Sequence, residues 1–94
     1  MTTKPKPKPP ENLKGKYESG KADISWSPNK ETDISHYMVY EKIFFGVKII
    51  GQVKSADYSD SSIAKGKNKS YVVSAVDNDG LESEISAEIT VLAK

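Results

Sequence analysis

Apolar and polar residues alternate with a period of two from Glu11 onward, and no stretch repeats apolar residues at the spacing of an amphipathic helix. The alternating runs are short, and turn-forming residues break them about every 8 to 12 positions, the spacing of sandwiches and barrels. The breaks fall at Ser19-Gly20, Ser27-Pro28-Asn29, Gly46, Ser55, Lys65-Gly66 and Asp77-Asn78-Asp79-Gly80, residue types that accept turn geometry or bond their own backbone. Strands are therefore expected near residues 11–18, 21–27, 35–44, 47–54, 56–63, 69–77 and 85–92. Seven such strands imply an all-β domain of two packed antiparallel sheets.

Alternation also assigns faces. Ile24 with Trp26, Tyr37 with Val39, Tyr71 with Val73 and Ala75, and Ala87 with Ile89 and Val91 each lie on one side of a strand and are core candidates. Trp26 is the single tryptophan; a side chain of that size buries about 150–250 Å² and commonly anchors a small core.

The stretch EKIFFGVKIIGQV, residues 41–53, departs from this polar background. Extending the alternation from Tyr37 and Val39 turns Ile43 inward and leaves Phe44 and Phe45 at a hairpin tip beside Gly46. Two readings follow for the phenylalanines. They fold back and cap the end of the core, or they form an interaction surface, since adjacent exposed aromatics at a protruding loop invite association. Tyr40 and Ile49 join Phe44 and Phe45 as candidate surface residues.

The chain has 94 residues, enough for one core without disulfides or metal, and no cysteine, which removes thiol catalysis and thiolate metal sites. Its 14 basic residues, all lysine, oppose 13 acids for a net charge of +1. No overall field favours nucleic acid or an anionic membrane, and the bidentate fork of arginine is missing. No segment approaches the roughly 20 apolar residues needed to span a bilayer, and MTTKPKPKPP lacks the apolar region of a signal peptide.

In KPKPKPP, residues 4–10, each proline removes a backbone donor and biases its predecessor to extended geometry. Residues 1–9 are accordingly expected to be a linker or disordered tail ahead of a domain over 10–94. In polyproline II form the run would span on the order of 20 Å at about 3.1 Å per residue. A tail of this kind running into a domain suggests a piece of a longer protein; the other use, as a ligand for a PxxP-reading domain, rests on a short and common motif.

Catalytic signals are weak throughout. His36, the only histidine, sits in a polar context without a visible relay. The DNDG run at 77–80 resembles part of a calcium loop, but Ser86 stands where the bidentate glutamate would be, so a tight turn explains it better. GVKIIGQ lacks the lysine and hydroxyl of a phosphate loop, and KGKNK at 65–69 is a basic patch without aromatics, read as a solvated loop. Asp57 and Asp60 flank Tyr58 in a setting typical of turn hydrogen bonds. No enzyme activity, cofactor or metal site is expected.

Taken in order, PENL from Pro10, ISW around Trp26, ISHYMVYEK from Ile34, YSD at Tyr58, and VVSAVDNDGLES from Val72 resemble a fibronectin type III domain of the bacterial extracellular type, over about Pro10 to Val91. The resemblance implies a seven-stranded antiparallel immunoglobulin-like sandwich and turns Ile50 and Val53 inward. It also implies a tyrosine six residues before Ala75, whose hydroxyl ties that strand to the preceding connection. Lys69 stands there instead, and Tyr71 falls in register with the core. On that alignment the tie is missing and Lys69→Tyr is expected to stabilise the domain.

Functionally, the resemblance implies a non-catalytic module of a larger secreted or cell-envelope bacterial protein, serving as spacer and protein-protein contact for neighbouring domains or another chain. Two alternatives are an accessory module of an extracellular polysaccharide-degrading enzyme, touching sugar through Tyr40, Phe44 or Phe45, and a surface adhesion module. The second lacks an Arg-Gly-Asp triplet.

Overall fold

A computed structural model describes residues 5–93. Seven strands form two antiparallel sheets: β1 (Glu11–Glu18), β2 (Lys21–Ser27) and β5 (Asp57–Asp60) in the order β1-β2-β5, and β3 (Ile34–Ile43), β4 (Gly46–Val53), β6 (Asn68–Asp77) and β7 (Ile89–Leu92) in the order β4-β3-β6-β7. The architecture is the all-β sandwich expected from the alternation.

The core lies between the sheets. Ile24, Trp26, Tyr37, Val39, Tyr71, Val73, Ala75 and Val91 are buried there, and Ile50, Val53 and Ile89 pack against them half-buried. Trp26 meets Tyr37 edge-on, with ring centroids 5.4 Å apart. The edge-on geometry suits the quadrupoles of two aromatic rings. The Tyr37 hydroxyl is satisfied as acceptor of the Asn29 backbone N–H at 2.8 Å.

Gly51 sets how closely the sheets approach at one edge. A Cβ there would lie 2.4 Å from Cε1 of Tyr58, whose hydroxyl donates to the Ile50 carbonyl at 2.9 Å. Only a residue without a side chain lets the β5 tyrosine reach across to β4.

Two strands are shorter than their sequence pattern implies. β5 ends at Asp60, whose Oδ1 accepts the Ser62 N–H at 2.9 Å and the Ser62 hydroxyl at 2.6 Å. This side-chain turn competes with the ladder and stops it. β7 begins at Ile89, not near residue 85, and Ala87 is exposed outside it. Across residues 81–88 a different device satisfies the β6 edge. The Ser83 hydroxyl accepts the Ala75 N–H and the Ser86 hydroxyl accepts the Val73 N–H, each at 2.9 Å. The N–H groups of the same serines donate to the Ala75 and Val73 carbonyls at 2.8 Å. Serines three apart serve edge groups two apart, so the segment follows β6 without strand periodicity.

Asp77 organises the turn between β6 and this segment. Its Oδ1 accepts the N–H groups of Asp79 and Leu81 at 2.9 Å, and Gly80 takes φ of 84°. Among the described residues, no three His, Asp or Glu side chains are grouped to hold a metal ion. No helix among them is long and apolar enough to cross a membrane.

Candidate functional site: the hairpin tip and the Asp60–Lys69 network

The β3–β4 hairpin overhangs the sandwich. Pairing of β3 with β6 ends at Glu41↔Tyr71, while pairing with β4 continues through Lys42↔Val47 and Ile43↔Gly46. Beyond Glu41 the strand therefore has one neighbour where it had two. That loss of cover corrects the expected burial of Ile43, which is exposed despite sharing the face of Val39.

Phe44 and Phe45 form the two-residue turn. Neither has positive φ; that demand falls on Gly46, at 144°. The rings meet each other edge-on, with centroids 4.8 Å apart, and are 93% and 92% exposed. They touch each other and leave the core uncapped. An overhanging turn carries them away from the sandwich end, so the capping arrangement is not formed.

Ile49 is 60% exposed on the outer face of β4, about 10 Å along the strand from Gly46 at roughly 3.3 Å per residue. Val47 lies on the same face between them and is also exposed. Tyr40, directly opposite Ile49 in the ladder, is a different case. Only 9% of it is exposed. Its hydroxyl donates to Oε2 of Glu82, which also accepts the Ser74 hydroxyl at 2.5 Å. Burial, then the Glu82 carboxylate, push the Tyr40 hydroxyl above the usual phenol range. Tyr40 is thus withdrawn from the candidate surface, because Glu82 arrives from 42 residues away and covers it.

At the same end of the molecule the sandwich holds a charged network that sequence reasoning missed. Asp60 is 5% exposed, and its Oδ2 accepts the Tyr71 hydroxyl at 2.6 Å and pairs with Nζ of Lys69 at 2.8 Å. Nζ also donates to the Ser62 hydroxyl at 2.8 Å and stands 3.7 Å from Glu41. The Lys69 side chain is 12% exposed. Burial pushes the Asp60 carboxyl up, but bonds from Lys69, Ser62 and Tyr71 outweigh it and hold it well below the usual carboxylate range. The Tyr71 hydroxyl is pushed far above its ordinary value by burial and then by Asp60.

This network corrects the reading of Lys69. The lysine does not mark a missing tie between β6 and the preceding connection; its ammonium makes that tie, through Asp60 and Ser62, and the buried Tyr71 adds a second. The available signal was the alternation itself, which puts Lys69 on the same face as Tyr71, Val73 and Ala75.

The remaining candidate positions form no reactive group. Half-buried His36 has the Ser35 hydroxyl 3.0 Å from Nδ1. The Asp57 Oδ1 accepts the Ser55 hydroxyl at 3.0 Å, a turn bond.

No family model matches the chain. An amylopullulanase from Thermoanaerobacter thermohydrosulfuricus is 37% identical over 84 residues, covering 88% of this chain. An amylopullulanase from Thermoanaerobacterium saccharolyticum is 32% identical over 85 residues, covering 87%. The chain spans 6% of the length of either enzyme. Among solved structures, a Fn3-like protein from Clostridium thermocellum is 29% identical, with a TM-score of 0.80 over 93% of each chain. Together with the two-sheet strand order, the likeness to this Fn3-like protein shows a fibronectin type III-like domain.

Proposed function

We propose that the chain is a non-catalytic accessory module of a larger secreted or cell-envelope bacterial protein that acts on polysaccharide. In that setting it spaces neighbouring domains and holds one of them through the Phe44–Phe45 tip. The observation carrying the contact is the pair of phenyl rings, 93% and 92% exposed on an overhang. Rigid aromatics raised on a short hairpin offer large apolar area at small entropic cost, the character of interface anchors. The accessory role draws support from the amylopullulanases, of which a segment like this chain is a small part.

The contact is tested by Phe44→Ser with Phe45→Ser in the parent protein. Cleavage of the flanking junctions by a protease should accelerate while the module's own unfolding midpoint stays unchanged. Unaltered cleavage would refute the contact.

A second reading, with the same rings stacked on sugar, is favoured by the open faces of both rings and the names of the relatives. Retardation of the isolated chain in gels containing amylopectin or pullulan, lost in the double variant, would select it over the protein contact.

A further inference from the structure

The Lys/Pro run has structure of its own over residues 5–10. Pro7 and Pro10 are buried, while Pro5, Lys6, Lys8 and Pro9 face outward. A buried–exposed–exposed–buried order matches the three-residue repeat of polyproline II, which returns every third side chain to one face.

The backbone between the two buried prolines is held on both sides of one residue. The Lys8 N–H donates to Oε2 of Glu31 at 2.8 Å, and the Lys8 carbonyl accepts Nδ2 of Asn29 at 2.7 Å. Nδ2 of Asn29 also lies 3.1 Å from Oε1 of Glu31, so the two side chains brace each other. Asn29 is itself fixed, since its backbone N–H donates to the hydroxyl of the buried core residue Tyr37. Farther out, Nζ of Lys6 pairs with Glu84 at 2.7 Å on the opposite side. Both partners are exposed, so this pair adds little. The Lys8 N–H, the largest influence on the Glu31 carboxyl, holds it below the usual range.

We propose that residues 5–10 are a docked strap belonging to the domain, and that it fixes the direction in which any preceding part of a longer chain leaves the sandwich. The Lys/Pro run is then a rigid joint at its domain end, with the buried prolines as pegs and the Asn29–Glu31 pair as a clasp on Lys8. The consequence for a larger protein rests on the spacer reading above; the docking itself does not, and the isolated chain tests it.

The test is backbone order by nuclear magnetic relaxation in the 94-residue chain, using the amides of Lys6 and Lys8 and the Cα–H groups of Pro7, Pro9 and Pro10. Order parameters near the rigid value of about 0.85 are expected from Pro7 to Pro10. In the Asn29→Ala, Glu31→Gln double variant they should fall below about 0.6, with β-strand amides unchanged. A single Glu31→Gln variant, which keeps the shape of the clasp, should give an intermediate loss. Values below about 0.6 over residues 7–10 of the unaltered chain would overturn the proposal. So would a double variant whose strap stays as ordered as the sheets.

Discussion

Replacing Lys69 with methionine removes the ammonium from the Asp60 network while keeping the length and apolar stem of the side chain. At 2.8 Å the Lys69–Asp60 pair has a gross attraction of roughly 6 kcal/mol at an effective dielectric of about 20. Much of that is offset by the cost of taking both charges from water, which is why such pairs rarely add their gross value. Removing one partner is more costly than replacing both, because a charge 5% exposed then stays buried without compensation. Losses of this kind are typically about 3–5 kcal/mol. Asp60 would keep the Tyr71 hydroxyl and both Ser62 donors, which places Lys69→Met near the lower end. We expect a loss of about 3 kcal/mol, equivalent to a fall in Tm of roughly 12–24 °C for a domain of this size. Lys69→Tyr should also destabilise, reversing the expectation drawn from family alignment alone. Urea unfolding followed by fluorescence of buried Trp26 gives the measurement, since no other tryptophan contributes. Lys69→Met within about 0.5 kcal/mol of the parent would refute the argument, as would a Lys69→Met, Asp60→Asn pair no more stable than Lys69→Met alone.

Several other perturbations have defined outcomes. Because the Asp60 carboxyl titrates lower in the folded chain than its unfolded value of about 3.9, its stabilisation is present above about pH 5. It is lost as the pH falls below that window, so urea midpoints measured from pH 7 to pH 2 should show an acid loss that Asp60→Asn flattens. Gly51→Ala should cost about 1–3 kcal/mol in the same assay, because the new methyl meets the Tyr58 ring at 2.4 Å and the sheets must part. Ser86→Ala removes the acceptor of the buried Val73 N–H and should cost about 1–3 kcal/mol, with faster exchange of that amide. Phe44→Ser with Phe45→Ser should change unfolding by less than about 0.5 kcal/mol, since rings this exposed give the core nothing to lose.

Most of the sandwich was legible in the chain because burial of one strand face imposes a period of two. Ile24 with Trp26, Tyr37 with Val39, and Tyr71 with Val73 and Ala75 show that constraint directly, and the turn residues between them separate the strands. What alternation cannot carry is the identity of a partner from the other sheet or from a loop. Lys69 obeys the inward period, yet within KGKNK it reads as part of a solvated basic loop, because nothing local reveals that Asp60 waits beside it. Tyr40 reads as outward, and it is; its burial comes from Glu82, a residue distant in sequence. The start of β7 was obscured because Ser83 and Ser86 replace ladder bonds by hydroxyl bonds at a spacing no strand pattern contains. Ile43 failed for a reason of length: the alternation continues past the point where β6 stops pairing.

The hairpin tip was visible as an anomaly of composition, and the structure resolves its geometry. Seven apolar residues between Ile43 and Val53 divide into half-buried Ile50 and Val53, with Ile43, Phe44, Phe45, Val47 and Ile49 exposed. Exposure on an overhang removes the capping arrangement, and it makes the proposed attachment to a neighbouring domain measurable. Hydrogen exchange of the Lys42–Val47 amides, compared between the isolated chain and the intact parent protein, is the most direct test. Exchange at least tenfold slower in the parent, confined to this hairpin and cancelled by Phe44→Ser with Phe45→Ser, is the result expected of a docked tip. Equal exchange in the two contexts would contradict the contact and leave the module a spacer whose phenylalanines face solvent.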